Sequence, residues 1–264
     1  YGYGVAEKRV ARGIKGFTPA PTISTKVGRL IRPGKNSELD KWPDSDPNIE
    51  IYFDYSPSGI RRSLEESLER LGRDTIEIAF IHDADSRVRE AIDVVYPALH
   101  AMREEGIIKA IGIGMNWCPP SIAIMRETDL NIALIAGRYT LLDQSAQDEL
   151  YPLALAKNVS IIAAGVYNSG VLANPVQGAL YDYEIAPQEI LDRARAIAKF
   201  LEKFNVTLPQ AALQFPLRHP AVASVLIGPG SLAELEANIA SFDAQLPDEL
   251  WSEMEREGLI RPIS

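Results

Sequence analysis

Hydrophobic and polar positions along the chain alternate between two periods. Short β-branched and apolar runs near 22–27, 76–82, 109–114, 132–136, 160–165 and 223–227 predict strands. Between them lie stretches of helical period. Ile60, Leu64, Leu68 and Leu71 share one face, started by Ser56-Pro57 and stopped by Gly72, and Ala91, Val94, Val95, Ala98, Leu99 and Met102 share another. Further helices are predicted over 145–157, 188–204 and 208–217, then over Ser231–Ala240 and Asp248–Glu257. This strand–helix alternation predicts an α/β fold with a parallel sheet, and the length suits a single TIM-type (β/α)8 barrel domain over residues 1–264. Six strands are countable, so the barrel's first one or two strand–helix units are expected upstream of Tyr1. The start Tyr1-Gly2-Tyr3-Gly4, without an initiating methionine, fits that expectation. The Pro-, Asp-, Ser- and Gly-rich stretch Arg29–Tyr55 reads as a long loop over one mouth of the barrel.

Composition narrows the function classes. A net charge of −9 argues against a nucleic-acid surface, which needs basic side chains to displace counterions from phosphate. No apolar run is long enough to span a bilayer, and one cysteine excludes an intramolecular disulfide framework and fits a reducing, cytoplasmic compartment. Cys118 is expected as a small packed residue, and His100 and His219, beside polar neighbours, as solvated ones. The three histidines and one cysteine are too scattered for a zinc-type ligand set. The expected partner is a small-molecule substrate, with no nucleic acid, membrane or metal, for a monomer or weak homo-oligomer.

Chemistry concentrates at strand ends. Ile76–Ile81 closes on His82 and Asp83, and Thr22–Thr25 closes on Lys26. Parallel α/β proteins build active sites from side chains delivered at the C-terminal ends of strands. A phenol can exchange a proton with a carbonyl or hydroxyl oxygen if a neighbouring ammonium favours its ionised form. Tyr1 or Tyr3, Lys26 and His82 supply phenol, ammonium and a hydrogen-bonding orienter. Lys26 alone could instead form a Schiff base with a carbonyl substrate, as a lyase would. Trp117, which follows Asn116, is placed in the substrate pocket with Asp83.

In these residues the chain resembles the aldo-keto reductase family, whose barrels carry an Asp, Tyr, Lys, His tetrad. Tyr1-Gly2-Tyr3-Gly4-Val5-Ala6-Glu7 fits the tail of the family's Asp-x-x-x-x-Tyr-Gly-x-Gly segment, and this resemblance puts Tyr1, not Tyr3, in the acid/base position. Thr25-Lys26-Val27-Gly28 and Phe80-Ile81-His82 fit its lysine and histidine segments. The resemblance implies that Lys26 favours the Tyr1 phenolate and that His82 orients the substrate oxygen. The tetrad aspartate would stand upstream of Tyr1. Gly112-Ile113-Gly114-Met115-Asn116 matches the strand end that holds the nicotinamide carboxamide, which assigns Asn116 that role. Met115, Ala136 and Ala164 depart from the serine, glutamine and stacking tyrosine usual there.

A final segment, Leu226-Ile227-Gly228-Pro229-Gly230-Ser231-Leu232-Ala233-Glu234, runs from a strand through glycines into a helix with a Ser-x-x-Glu capping box. A helix start of this kind offers free N–H groups to phosphate. Gly228, Gly230, Ser231, Glu234 and Asn238 are therefore expected to bind the cofactor. NADP-preferring members carry arginine where this chain has Glu234, and no Lys or Arg stands between Gly228 and Ala240. The expected cofactor is NAD(P), with NAD preferred. His82-Asp83-Ala84-Asp85, Gly137-Arg138-Tyr139-Thr140-Leu141-Leu142-Asp143 and Tyr167-Asn168-Ser169-Gly170 are most similar to the branch that oxidises aldoses at C1 to lactones, with pyridoxal dehydrogenases of the same type close by. The expected activity is hydride transfer between a nicotinamide and a sugar or other small carbonyl or alcohol. A cofactor-binding regulatory protein of the same fold is a third reading beside the lyase.

Overall fold

The computed structural model describes residues 1–263, and the chain divides into two compact units. The first comprises Tyr1–Gly114 with Ala123–Ile132. Its strands are β1 (Ser24–Val27), β2 (Arg29–Pro33), β3 (Ile49–Phe53), β4 (Ile76–His82) and β5 (Ile108–Met115), the last running on into the second unit. β1, β4 and β5 pair in parallel in that order, with Lys26 opposite Phe80 and His82 opposite Gly114. β4 is apolar apart from Glu77 near its start, which pairs with Arg73 and accepts from the Ile23 amide, and His82 at its end.

The helix Pro57–Leu71 starts and stops where its sequence signals stand: the Ser56 hydroxyl accepts from the Gly59 amide, and Gly72 ends it at φ 64°. Ile60, Leu64, Leu68 and Leu71 are all buried. The helical run over 88–104 carries a π-type turn at Ala91–Val95. It precedes Pro97, which has no amide hydrogen to give to the regular ladder.

The stretch Arg29–Tyr55 is not a structureless loop. β2 and β3 form an antiparallel hairpin, Arg29 opposite Phe53 and Ile31 opposite Ile51. The Leu-Ile and Ile-Glu-Ile-Tyr-Phe runs carry the pairing, and the turn-rich centre is confined to the connection. There the buried Asn36 amide donates to the Ser45 hydroxyl and the Asp46 carbonyl.

The second unit comprises Met115–Ile122 with Ala133–Ser264. It contains β6 (Ile132–Ala136, apart from its first residue), β7 (Ser160–Ala164), β8 (Leu180–Tyr181), β9 (Glu184–Ile185) and β10 (Val222–Leu226). β7 and β10 pair in parallel, and the Gly137 amide after β6 donates to the Ala164 carbonyl at the end of β7. Helices Leu150–Ala156, Gln188–Leu201, Leu208–Gln214, Leu232–Asp243 and Leu250–Arg256 accompany them. β8 and β9 form a second small hairpin that the sequence did not announce.

His219, expected in solvent, is only 1% exposed. A tight turn over Phe215–Arg218 directs it inward, where its ring meets Tyr151 at 4.7 Å and Tyr139 at 5.5 Å and its Nδ1 accepts from the Ala221 amide. Cys118 is half-buried, and burial pushes its thiol up to about 11, which leaves it protonated and unreactive at neutral pH. Among the described residues no helix is long and apolar enough to cross a membrane.

Candidate active site

Parallel pairing of β1 with β4 sets Lys26 and His82 at the same end of adjacent strands, and Tyr1 meets both. The Lys26 ammonium donates to the Tyr1 hydroxyl at 2.5 Å, and that oxygen lies 3.4 Å from His82 Nε2. Gly2, Tyr3 and Gly4 follow with φ of 58°, 54° and 86°, a left-handed turn that sends the two tyrosines apart. Tyr1 is 65% exposed, whereas Tyr3 is buried with its hydroxyl 3.5 Å from Glu38. The geometry therefore selects Tyr1 over Tyr3.

Surrounding contacts fix this trio. The Tyr55 hydroxyl donates to the His82 carbonyl at 2.7 Å and so anchors the end of β4. Its ring fits only because residue 28 is glycine: at φ 105° a Cβ there would stand 2.3 Å from Tyr55 Cε1. On the other side, Thr25 donates to Glu7 at 2.6 Å and Arg70 pairs with Glu7 at 2.5 Å, tying the helix Val5–Gly13 to β1 beside Lys26. Burial alone would raise the Glu7 carboxyl, but the Thr25 hydroxyl and the Arg70 guanidinium hold it below the usual carboxylate range.

His82 is 8% exposed, and burial, then the positive charges of Lys26 and Arg29, depress its imidazole to about 3. It is neutral at any physiological pH. Nε2 lies 3.2 Å from the Asp83 carboxylate, which can only accept, and 3.4 Å from the Tyr1 oxygen. The Nε2–H tautomer of the neutral ring is the one that can donate to a substrate oxygen. Asp83 in turn receives Arg29 Nη2 at 2.6 Å and adopts a left-handed φ of 46°, which a short polar side chain tolerates.

The second unit holds the other expected residues. Asn116 and Trp117 line a cavity of about 210 Å³ with Ala136, Gly137, Gly165 and Asn168, closed at one side by Asp182 and Tyr183. Arg138 is the buried hub beneath it. The guanidinium donates to the Asn116 carbonyl at 3.1 Å, to Asp143 at 2.9 Å and to Asp182 at 2.5 Å, and lies 4.5 Å from the Trp117 ring centre. Asn168, 2% exposed, donates from Nδ2 to the Gly137 carbonyl, while its Oδ1 has no hydrogen-bond partner.

Gly228 and Gly230 are exposed ahead of the helix Leu232–Asp243, and Ser231 caps it by accepting from the Glu234 amide at 3.2 Å. Glu234 departs from a full capping box: its carboxylate reaches past Ser231 to the Gly230 amide at 2.7 Å. Asn238 accepts from the Tyr167 hydroxyl at 2.7 Å.

A model of the Aldo/keto reductase family matches residues 1–257. The chain belongs to the aldo-keto reductase family. It is 38% identical to a D-threo-aldose 1-dehydrogenase of a Pseudomonas species and 37% identical to a pyridoxal 4-dehydrogenase of Microbacterium luteolum, in each case over 98% of this chain and 82% of the relative. Among solved structures, an aldo-keto reductase from Bacillus halodurans in its holo form superposes with a TM-score of 0.74 at 22% identity, covering 99% of this chain and 80% of that one. The α/β fold, with parallel strands β1, β4 and β5 in the first unit and β7 and β10 in the second, is thus that of aldo-keto reductases, which are (β/α)8 barrels. The protein is an oxidoreductase of the NAD(P)-dependent kind. The lyase reading gives way to this membership, and the regulatory reading to the likeness to two dehydrogenases over nearly the whole chain.

The residues of this aldo-keto reductase suit the cofactor. Where Ala136 leaves no side-chain amide, Asn168 lines the same cavity as Asn116 and keeps a buried Oδ1 without a hydrogen-bond partner. Sequence reasoning missed Asn168 as a site residue, together with Arg29, Tyr55, Arg138 and Asp182. Arg138 and Asn168 lay inside motifs that carried the family resemblance, and Arg29 directly follows the lysine segment. The link between Arg138 and Asp182 joins residues far apart in the chain and had no local signal.

Proposed function

We propose that this aldo-keto reductase oxidises the anomeric carbon of a free aldose to a lactone, or runs the reverse reduction, with Tyr1, Lys26 and His82 as its catalytic residues. The carrying observation is the contact of one phenol oxygen with both an ammonium and the Nε2 of a neutral imidazole. A nicotinamide dinucleotide, when bound, supplies the acceptor for the hydride that leaves C1. Tyr1 takes the proton of the C1 hydroxyl, so that hydride and proton together remove two electrons and two hydrogens and leave a carbon–oxygen double bond. Lys26 stabilises the negative charge on the phenol oxygen before the proton arrives. His82 donates from Nε2 to the same substrate oxygen and, being neutral, neither competes for the proton nor repels Lys26.

Asn116 and Asn168 would hold the carboxamide, and the Gly228–Ser231 turn, Glu234 and Asn238 the distal part of the dinucleotide. Glu234 supports a preference for NAD, since its carboxylate already occupies the Gly230 amide and would repel a 2′-phosphate. The substrate is a small molecule, and the single cysteine is compatible with a cytoplasmic setting. Initial rates followed at the nicotinamide absorbance, with NAD or NADP and a panel of aldoses and pyridoxal, test the assignment. Turnover of aldoses with NAD is expected. Exclusive turnover of pyridoxal would move the protein to the second relative's chemistry, and absence of any nicotinamide-linked turnover would overturn the reading.

A further inference from the structure

The trio explains how one oxygen is handled, but it leaves unexplained the charged pair next to it. Asp83 and Arg29 meet at 2.6 Å with side chains about one-third exposed, so both are reachable from solvent. Neither is placed by accident. Arg29 opens β2 and lies 5.2 Å from the Phe53 ring centre on the paired strand, and the Asp83 amide donates to the Gly114 carbonyl at the end of β5. His82 Nε2 stands 3.2 Å from Asp83 Oδ2 and 3.4 Å from the Tyr1 oxygen. An oxygen held by Tyr1 and His82 is therefore one hydrogen-bond step from the Asp83–Arg29 pair.

We infer that the Asp83–Arg29 pair reads a hydroxyl on the carbon adjacent to the reacting one, so that the substrate class is carbonyl compounds with a neighbouring hydroxyl and the corresponding alcohols. This rests on the oxidoreductase reading of the same site. Oxygens on adjacent carbons stand about 2.8 Å apart when gauche, which is one hydrogen-bond length. A hydroxyl both donates and accepts, and the pair offers one partner for each: the Asp83 carboxylate accepts its proton and the Arg29 guanidinium donates to its oxygen. Aldoses carry such a hydroxyl at C2, whereas the ring hydroxyl of pyridoxal stands one carbon further from its aldehyde carbon and falls outside this class. A compound without the neighbouring oxygen would cover the pair and leave both charged groups without their water or a substitute.

The test compares an aldose with its 2-deoxy form, and glycolaldehyde with acetaldehyde, in the wild type and in Asp83→Asn. Asparagine tolerates the left-handed φ of residue 83, so the backbone is kept. The wild type is expected to favour the hydroxylated member in kcat/KM by about 10- to 100-fold, the size of one charge-assisted hydrogen bond. In Asp83→Asn the ratio should fall toward one. Calorimetric binding of the aldonolactone and its 2-deoxy form, in the presence of dinucleotide, should show the same loss of discrimination without turnover. A wild-type ratio near one, or a ratio that Asp83→Asn leaves unchanged, would reduce Asp83 to a brace for His82 and overturn the inference. Preference for glycolaldehyde over acetaldehyde with no aldose turnover would defeat the aldose assignment while upholding the role of Asp83.

Discussion

The depressed imidazole of His82 makes a prediction about stability that does not depend on turnover. The free side chain binds a proton near pH 6.5, whereas in the folded protein burial, Lys26 and Arg29 hold it off until about 3. Between those values the unfolded chain binds more protons than the native one, so acid favours unfolding and the contribution is fully retained only above about 6.5. Integrating the linkage gives a loss of about 2 kcal/mol at pH 5 and about 3 kcal/mol at pH 4 from this one residue. His82→Gln keeps a neutral hydrogen-bonding side chain and removes the titration, while the buried His219 remains in both proteins as an internal control. Urea unfolding of the two proteins at pH 7.5 and pH 5 should show the wild type losing about 2 kcal/mol more than the variant over that interval. Parallel losses would mean that the folded protein lets His82 ionise, which would contradict the neutral Nε2–H donor assigned to it.

Three further substitutions probe separate parts of the argument. Lys26→Met should lower kcat by about two to four orders of magnitude while dinucleotide affinity, read by quenching of protein fluorescence, stays within a few-fold. Arg138→Met strips the common partner from Asp143 and Asp182 in a buried setting, and denaturant unfolding should register a loss of about 3–5 kcal/mol. Gly28→Ala forces a Cβ into the Tyr55 ring at a left-handed φ, so the thermal midpoint should fall by the equivalent of at least about 2 kcal/mol, with kcat reduced because Tyr55 anchors the His82 carbonyl.

What could be read from the chain and what could not divides along a physical line. The strand β4 was legible because a buried strand is a nearly continuous apolar run, so the polar residue that ends it, His82, stands out. Lys26 lies instead inside the short, half-buried strand Ser24–Val27 and was legible as the one charged residue of a β-branched run. The β2–β3 hairpin was hidden because its strands are half-exposed and its long connection is dominated by turn residues. The β8–β9 hairpin was hidden for a different reason: Asp182 and Tyr183 take φ of 49° and 70° at the turn, a conformation usually signalled by Asn-Gly or Asp-Gly. His219 looked solvated because it follows Arg218 after a helix, while its burial is decided by Tyr139 and Tyr151, remote along the chain.

Ionic partners follow the same rule. Arg29 with Asp83, Arg70 with Glu7 and Arg138 with Asp182 each join residues more than forty positions apart. Nothing local distinguishes these arginines from the solvated ones on helix faces, yet each holds a group that touches the chemistry or the cavity. Arg29 fixes Asp83 beside His82, Arg70 fixes Glu7 and through Thr25 the lysine strand, and Arg138 fixes the carbonyl of Asn116. Local sequence thus exposes the groups that react, and folding supplies the counter-charges that hold them in place. The Asp83–Arg29 pair, 3.2 Å from His82 Nε2 through Asp83, is the counter-charge nearest to where a substrate oxygen would sit.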